Sequence, residues 1–178
     1  TDGLSRIGLA PRCPLIGAGS VGYEPLYGID AYRLPYIPWH LTTREFFEEV
    51  RAHLEPNGVV VINIGRTPDD RRLIEAFSGT MGVVFPSVHV VDVPNTFNTI
   101  VFATVMETYP ENLVANELAL VSKETHPLLI DILHRTIQNL QPTPVSSMVF
   151  TDDLAPVEQI TNSIALRFIL GGSVESLR

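Results

Sequence analysis

The sequence predicts an α/β fold: a mostly parallel sheet closed by an antiparallel hairpin at one edge, followed by C-terminal helices. Three observations carry this reading. Between residues 26 and 93, short apolar runs alternate with stretches of helical period. Val88–Val93 and Thr99–Val105 are apolar runs parted only by Pro94-Asn95-Thr96-Phe97-Asn98, too short for a crossover, so they pair antiparallel. After Tyr109-Pro110 the pattern turns helical.

Residues 1–25 hold scattered Pro and Gly with no sustained period and read as an irregular segment. Leu26–Ile29 is a short buried strand with Asp30 at its C-terminal end. Residues 33–40 contain Pro35 and Pro38 and form an aromatic-rich loop. Thr42 and Glu45 have capping-box spacing and open a helix whose stripe is Phe46, Phe47, Val50 and Leu54. Pro56-Asn57-Gly58 ends it.

Val59–Ile64 is apolar except for Asn63, the pattern of a strand buried on both faces. In the next helix Thr67 is the expected N-cap, Pro68 the first residue, and Leu73, Ile74, Phe77 and Met81 the buried side. Residues 111–122 and 127–140 read as helices, 141–147 as a Pro/Ser linker and 149–153 as an extended segment. A last helix, 156–170, presents Val157, Ile160, Ile164 and Phe168 and stops at Gly171-Gly172. The expected divisions are therefore 1–25, 26–108 and 109–178.

The 178 residues are 45% hydrophobic and 18% charged, which excludes a disordered chain. A net charge of −8 argues against nucleic acid and anionic membranes as partners and suits a cationic ligand. The single Cys13 excludes an internal disulfide and any cysteine-built zinc site. A reducing, cytoplasmic setting is the expectation. No apolar run approaches the roughly 20 residues of a membrane helix. The chain begins at Thr1 and not at Met, so the start is read as other than the natural one.

Ligands of open α/β sheets bind beyond the C-terminal ends of parallel strands. Two such ends are Asp30-Ala31-Tyr32 and Asn63-Ile64-Gly65-Arg66. A carboxylate at the first can accept a hydrogen bond from an amine or act as its base, or can simply cap a loop or pair with an arginine. Gly17-Ala18-Gly19-Ser20-Val21-Gly22 spells G-x-G-x-x-G, yet no convincing strand feeds it and no helix leaves it, so it reads as a Gly-rich loop. Ala18 breaks a nucleophile elbow around Ser20. Asp152 and Asp153 read first as caps of the helix that follows and second as a face for a cation. The five histidines have no metal-ligand spacing, and no metal is expected.

Three blocks, Gly28-Ile29-Asp30-Ala31-Tyr32, Leu41-Thr42-Thr43-Arg44-Glu45-Phe46-Phe47 and Leu54-Glu55-Pro56-Asn57-Gly58-Val59-Val60-Val61, resemble the spermidine synthase family. Thr151-Asp152-Asp153-Leu154-Ala155-Pro156-Val157-Glu158 resembles the T-D-D-x-x-P-x-E close of spermidine synthase-like proteins, some of which are fused to membrane segments. The resemblance spans about 26–172. It implies polyamine aminopropyl transfer on the Rossmann-like class I methyltransferase fold, with S-adenosylmethionine or its decarboxylated form as co-substrate. It also implies a seven-stranded sheet whose first three strands bind the nucleoside. Only the last four are visible, so the chain reads as the C-terminal part of a larger protein, which leaves a membrane-segment fusion open.

By the same resemblance Asp30 is the catalytic acid that orients and deprotonates a small-molecule amine, Tyr32 lies beside the amine, and Asp152 and Asp153 approach that cleft. Arg33 stands where the family motif has a second Asp. A non-catalytic binding or assembly module and a methyltransferase are the other readings of this scaffold. A sheet cut at its middle exposes an edge strand, which invites homo-oligomers.

Overall fold

A computed structural model describes residues 26–29, 37–121 and 125–170. The elements are β1 (Leu26–Ile29), α1 (Arg44–Ala52), β2 (Val59–Gly65), α2 (Arg72–Gly82), β3 (Ser87–Asp92), β4 (Asn98–Thr104), α3 (Pro110–Val121), α4 (Pro127–Gln138), β5 (Leu140–Gln141) and α5 (Val157–Leu170). A short 3-10 turn, Trp39–Leu41, precedes α1. The architecture is α/β, with a mixed sheet and helices at the C-terminal side.

Among the described residues the sheet runs β1-β2-β4-β3-β5. Among the described strands only β1 and β2 pair in parallel, Leu26 with Val59 through Ile29 with Ile62. The β2–β4, β3–β4 and β3–β5 ladders are antiparallel. The expected mostly parallel sheet is thus corrected to a mixed one. The β3–β4 hairpin forms as expected, but β4 inserts between β2 and β3. β3 therefore runs in the direction of β2 without touching it, and the antiparallel strand is interior. The linker expected at 141–147 begins with β5, too short to leave a period in the sequence. In the hairpin turn Asn95 takes φ 60°, a left-handed conformation that Asn tolerates.

β2 is not buried on both faces. Val60, Ile62 and Ile64 are fully buried, while Val59, Val61 and Asn63 are half-buried. Among the described helices, α1, α2 and α5 pack together through α2, and α2 lies on β2, β4 and β3. Their side carries the core.

α1 begins one residue later than its expected capping box. Thr43 is the N-cap, its Oγ1 accepting from the Phe46 amide at 3.3 Å. The Thr42 hydroxyl instead donates to the Trp39 carbonyl at 2.6 Å. Phe46, Phe47 and Val50 are buried as the stripe predicts. α2 starts at Arg72, not Pro68, because residues 67–70 close a turn through Thr67 N–H and the Asp70 carbonyl at 3.4 Å.

α2 is the pivot of the core. Leu73, Ile74, Phe77 and Met81 are buried as expected, and so are Ala76, Ser78, Gly79 and Thr80. The segment before α5 crosses the helix at Gly79, where an added Cβ would strike the Met148 carbonyl. Thr80 Oγ1 accepts from the Phe150 amide at 2.9 Å and donates to the Ala76 carbonyl at 2.8 Å. Phe77 meets Phe47 and Phe150 edge-to-face at 6.5 and 6.2 Å. α5 buries Val157, Thr161 and Ile164, and Phe168 rests on Phe97 at 5.4 Å.

α3 and α4 pack against each other and bury none of their residues. Glu117 and His134 bridge them at 2.9 Å. No described helix is long and apolar enough to cross a membrane.

Candidate functional site

β1, β2 and β3 point the same way, so their C-terminal ends share one edge of the sheet. That edge presents Ile29, Asn63 to Arg66 and Asp92, with Asn98 and Thr99 from the start of β4. Asp30, Tyr32 and Arg33 lie outside the described residues, as does the Gly-rich segment 17–22. The ladder is described up to Ile29 and Ile62. Asp30 and Asn63 are the residues that follow these two in the chain. Asn63 Oδ1 is buried and has no hydrogen-bond partner among the described residues.

The best-organised polar group on this edge joins three strands and the start of α2. Arg71 grips Asp92 with both ends of its fork, Nη1 to Oδ2 at 2.7 Å and Nη2 to Oδ1 at 3.1 Å. The Thr99 hydroxyl donates to Asp92 Oδ1 at 2.7 Å. Arg66 Nε donates to Thr99 Oγ1 at 3.0 Å and lies 3.3 Å from Asp92 Oδ1. Burial would push the Asp92 carboxyl up, but the bonds from Arg71 and Thr99 and the two guanidinium charges hold it below its ordinary value.

A second pairing fastens α2 to α5. Arg72 grips Asp70 through Nε and Nη2 and donates to Ser163 Oγ at 2.8 Å. The Arg72 fork keeps Asp70 below its usual range, aided by Arg167 at 3.8 Å.

Asp152 and Asp153 are exposed in the turn Thr151–Leu154, closed by reciprocal backbone bonds of 3.1 and 3.0 Å. α5 starts only at Val157, so the pair does not occupy its first turn. The Asp152 amide instead donates to Glu45 Oε2 at 3.1 Å. The Arg44 amide donates to the Phe150 carbonyl at 2.8 Å. The acidic turn is thus held beside Glu45 at the N-terminus of α1. Its own backbone amide, followed by weaker bonds from Arg44 and Asp152 that oppose slight desolvation, keeps Glu45 below the ordinary value.

Arg66 lay within a strand end marked in the sequence; Asp92, Arg71 and Thr99 were missed. Asp92 lies inside the run Val88–Val93, so its sequence context does not mark it as that of Asp30 does. Arg71 was hidden inside a stretch read as helix. Among the described residues no group of three or more His, Cys, Asp or Glu is placed to hold a metal.

At the opposite edge His89 is half-buried, and its Nε2 meets Thr108 Oγ1 at 2.8 Å. Desolvation lowers its pKa below the ordinary 6.5. The unfolded chain then binds more protons between the folded value and 6.5. The stabilisation from neutral His89 is complete above that pH and is lost as pH falls through the window. Urea melts from pH 7.5 to 5 should show a decline that His89→Gln reduces.

No protein-family model matches the chain. It is 31% identical over 144 residues to the probable polyamine aminopropyl transferase of Bifidobacterium longum (strain NCC 2705), covering 73% of this chain and 32% of the relative. The chain thus spans about a third of the length of that curated relative. A crystal structure of a probable spermidine synthase from Corynebacterium glutamicum ATCC 13032 aligns with a TM-score of 0.45 and 26% identity, over 56% of this chain and 39% of that one. At moderate identity and over part of its length, the chain is homologous to aminopropyltransferase-like proteins.

Proposed function

We propose that the chain is the C-terminal part of a transferase that moves an aminopropyl group from an S-adenosyl-type donor to a small amine. The single observation that carries this is the 31% identity to the probable polyamine aminopropyl transferase over 73% of this chain. The acidic turn beside α1 supports it, because Asp152, Asp153 and Glu45 together favour a cationic acceptor. On this reading the sheet follows the methyltransferase-type pattern.

The donor supplies a carbon made electrophilic by its neighbouring sulfonium. The described residues offer carboxylates and the Asn63 carbonyl oxygen, groups that can receive an amine. Binding of the donor is assigned to the remainder of the full-length protein. Asp30 holds the attacking amine and takes the proton it gives up as nitrogen bonds to carbon and the C–S electron pair returns to sulfur. Exposed acids on the turn raise the local concentration of the acceptor without touching the reacting atoms.

The test uses the full-length protein with decarboxylated S-adenosylmethionine and a series of diamines. Asp30→Asn should lower kcat by about 10²- to 10⁴-fold, the usual contribution of a positioned base. Unchanged turnover in that variant removes the base assignment. Product formed from S-adenosylmethionine and not from its decarboxylated form replaces aminopropyl with methyl transfer.

A further inference from the structure

The Arg66 side chain is only 14% exposed, and the cluster around it does not balance its charge. Asp92 has one negative charge, and Arg71 occupies both of its oxygens. Arg66 reaches the same carboxylate only through Nε, at 3.3 Å, sharing that nitrogen with Thr99. Among the described residues its two terminal nitrogens make no hydrogen bond. Two guanidinium groups and one carboxylate leave a surplus positive charge in a chain whose net charge is −8. Among the described residues the two guanidinium groups share this one counter-charge, and a largely buried charge that is only partly paired is costly. A guanidinium tethered at Nε with both Nη groups open is a fork that receives a carboxylate end-on.

Its position matches this chemistry. Arg66 follows the last residue of β2, its amide fixed to the Phe97 carbonyl at 2.7 Å. It therefore stands at the edge where α/β sheets take their ligands. Thr99 is fully buried and Asp92 is 17% exposed, so the groups that aim Arg66 are themselves held by the sheet.

We propose that Arg66 is the anchor of a carboxylate-binding subsite, and that the amine accepted by this protein carries a carboxylate. The assignment rests on the proposed transferase reading for the word acceptor, but not for the binding itself. Arg71 and Thr99 position the fork by fixing Asp92; they do not touch the ligand.

Ornithine and putrescine differ only by the carboxylate, as do lysine and cadaverine. Calorimetry on the full-length protein should find the amino acid of each pair bound on the order of tenfold more tightly than its diamine, the worth of a charge-assisted hydrogen bond. Arg66→Gln should abolish that preference, and Arg66→Lys should restore part of it. Equal or tighter binding of the diamines by the unmodified protein overturns the proposal whether or not the variant folds. A preference that survives in a folded Arg66→Gln protein also overturns it. Inorganic phosphate competing as well as acetate would show an unselective anion hole and overturn the carboxylate assignment. Transfer activity is read separately: preferential binding without transfer upholds the subsite and defeats the transferase reading.

Discussion

Phe77→Ala should lower the unfolding free energy by about 3–5 kcal/mol, enough to unfold a marginal domain. Phe77 is fully buried in α2 and joins two parts of the core that are distant in sequence. Its ring meets Phe47 of α1 on one side and Phe150, from the segment before α5, on the other. Removing it deletes the apolar contacts and leaves a cavity that the sheet, with Val60, Ile62 and Val101 fully buried, is too well packed to close. Phe77→Leu, which keeps most of the volume, should cost about 1.5 kcal/mol or less. Chemical denaturation of both variants checks this. Equal losses would show that volume at this site is not what holds the three parts together.

Asp92→Asn should cost about 1–3 kcal/mol at neutral pH, because Arg71 and Arg66 lose a charged acceptor while remaining mostly buried. Asn keeps the shape and one carbonyl oxygen, so the loss reports charge and not packing. The pH dependence follows from the lowered carboxyl. In the unfolded chain Asp92 titrates near its ordinary 3.8, and in the folded protein below it. Its stabilisation is complete above the unfolded value and is lost as pH falls through the folded one. Acid titration of the unmodified protein should show this loss, and Asp92→Asn should lack that part of it. An acid profile identical in the two proteins would mean that the arginines are neutralised elsewhere.

The polar chemistry of the edge was legible only in pieces. An acid or a polar residue that closes an apolar run is a local signal, and it marked Asp30 and the end of β2. It does not mark Asp92, which sits inside the run Val88–Val93, and nothing local shows that residues 92 and 66 meet through β4. The turn of Asp152 and Asp153 illustrates the same limit. Helix-capping rules see only the helix that follows, whereas the Asp152 amide is held by Glu45, 107 positions away.

By itself the sequence determined the local elements: β1, β2, the β3–β4 hairpin, the five helices and the apolar sides of α1 and α2. Their periods and breakers act over a few residues, and neighbouring side chains suffice to express them. The tertiary structure decided the order of strands, the one-sided burial of β2, the late starts of α1 and α2, and the company that Arg66 keeps. Each depends on which distant segment covers a given face, and that is settled by the burial of apolar surface across the whole chain.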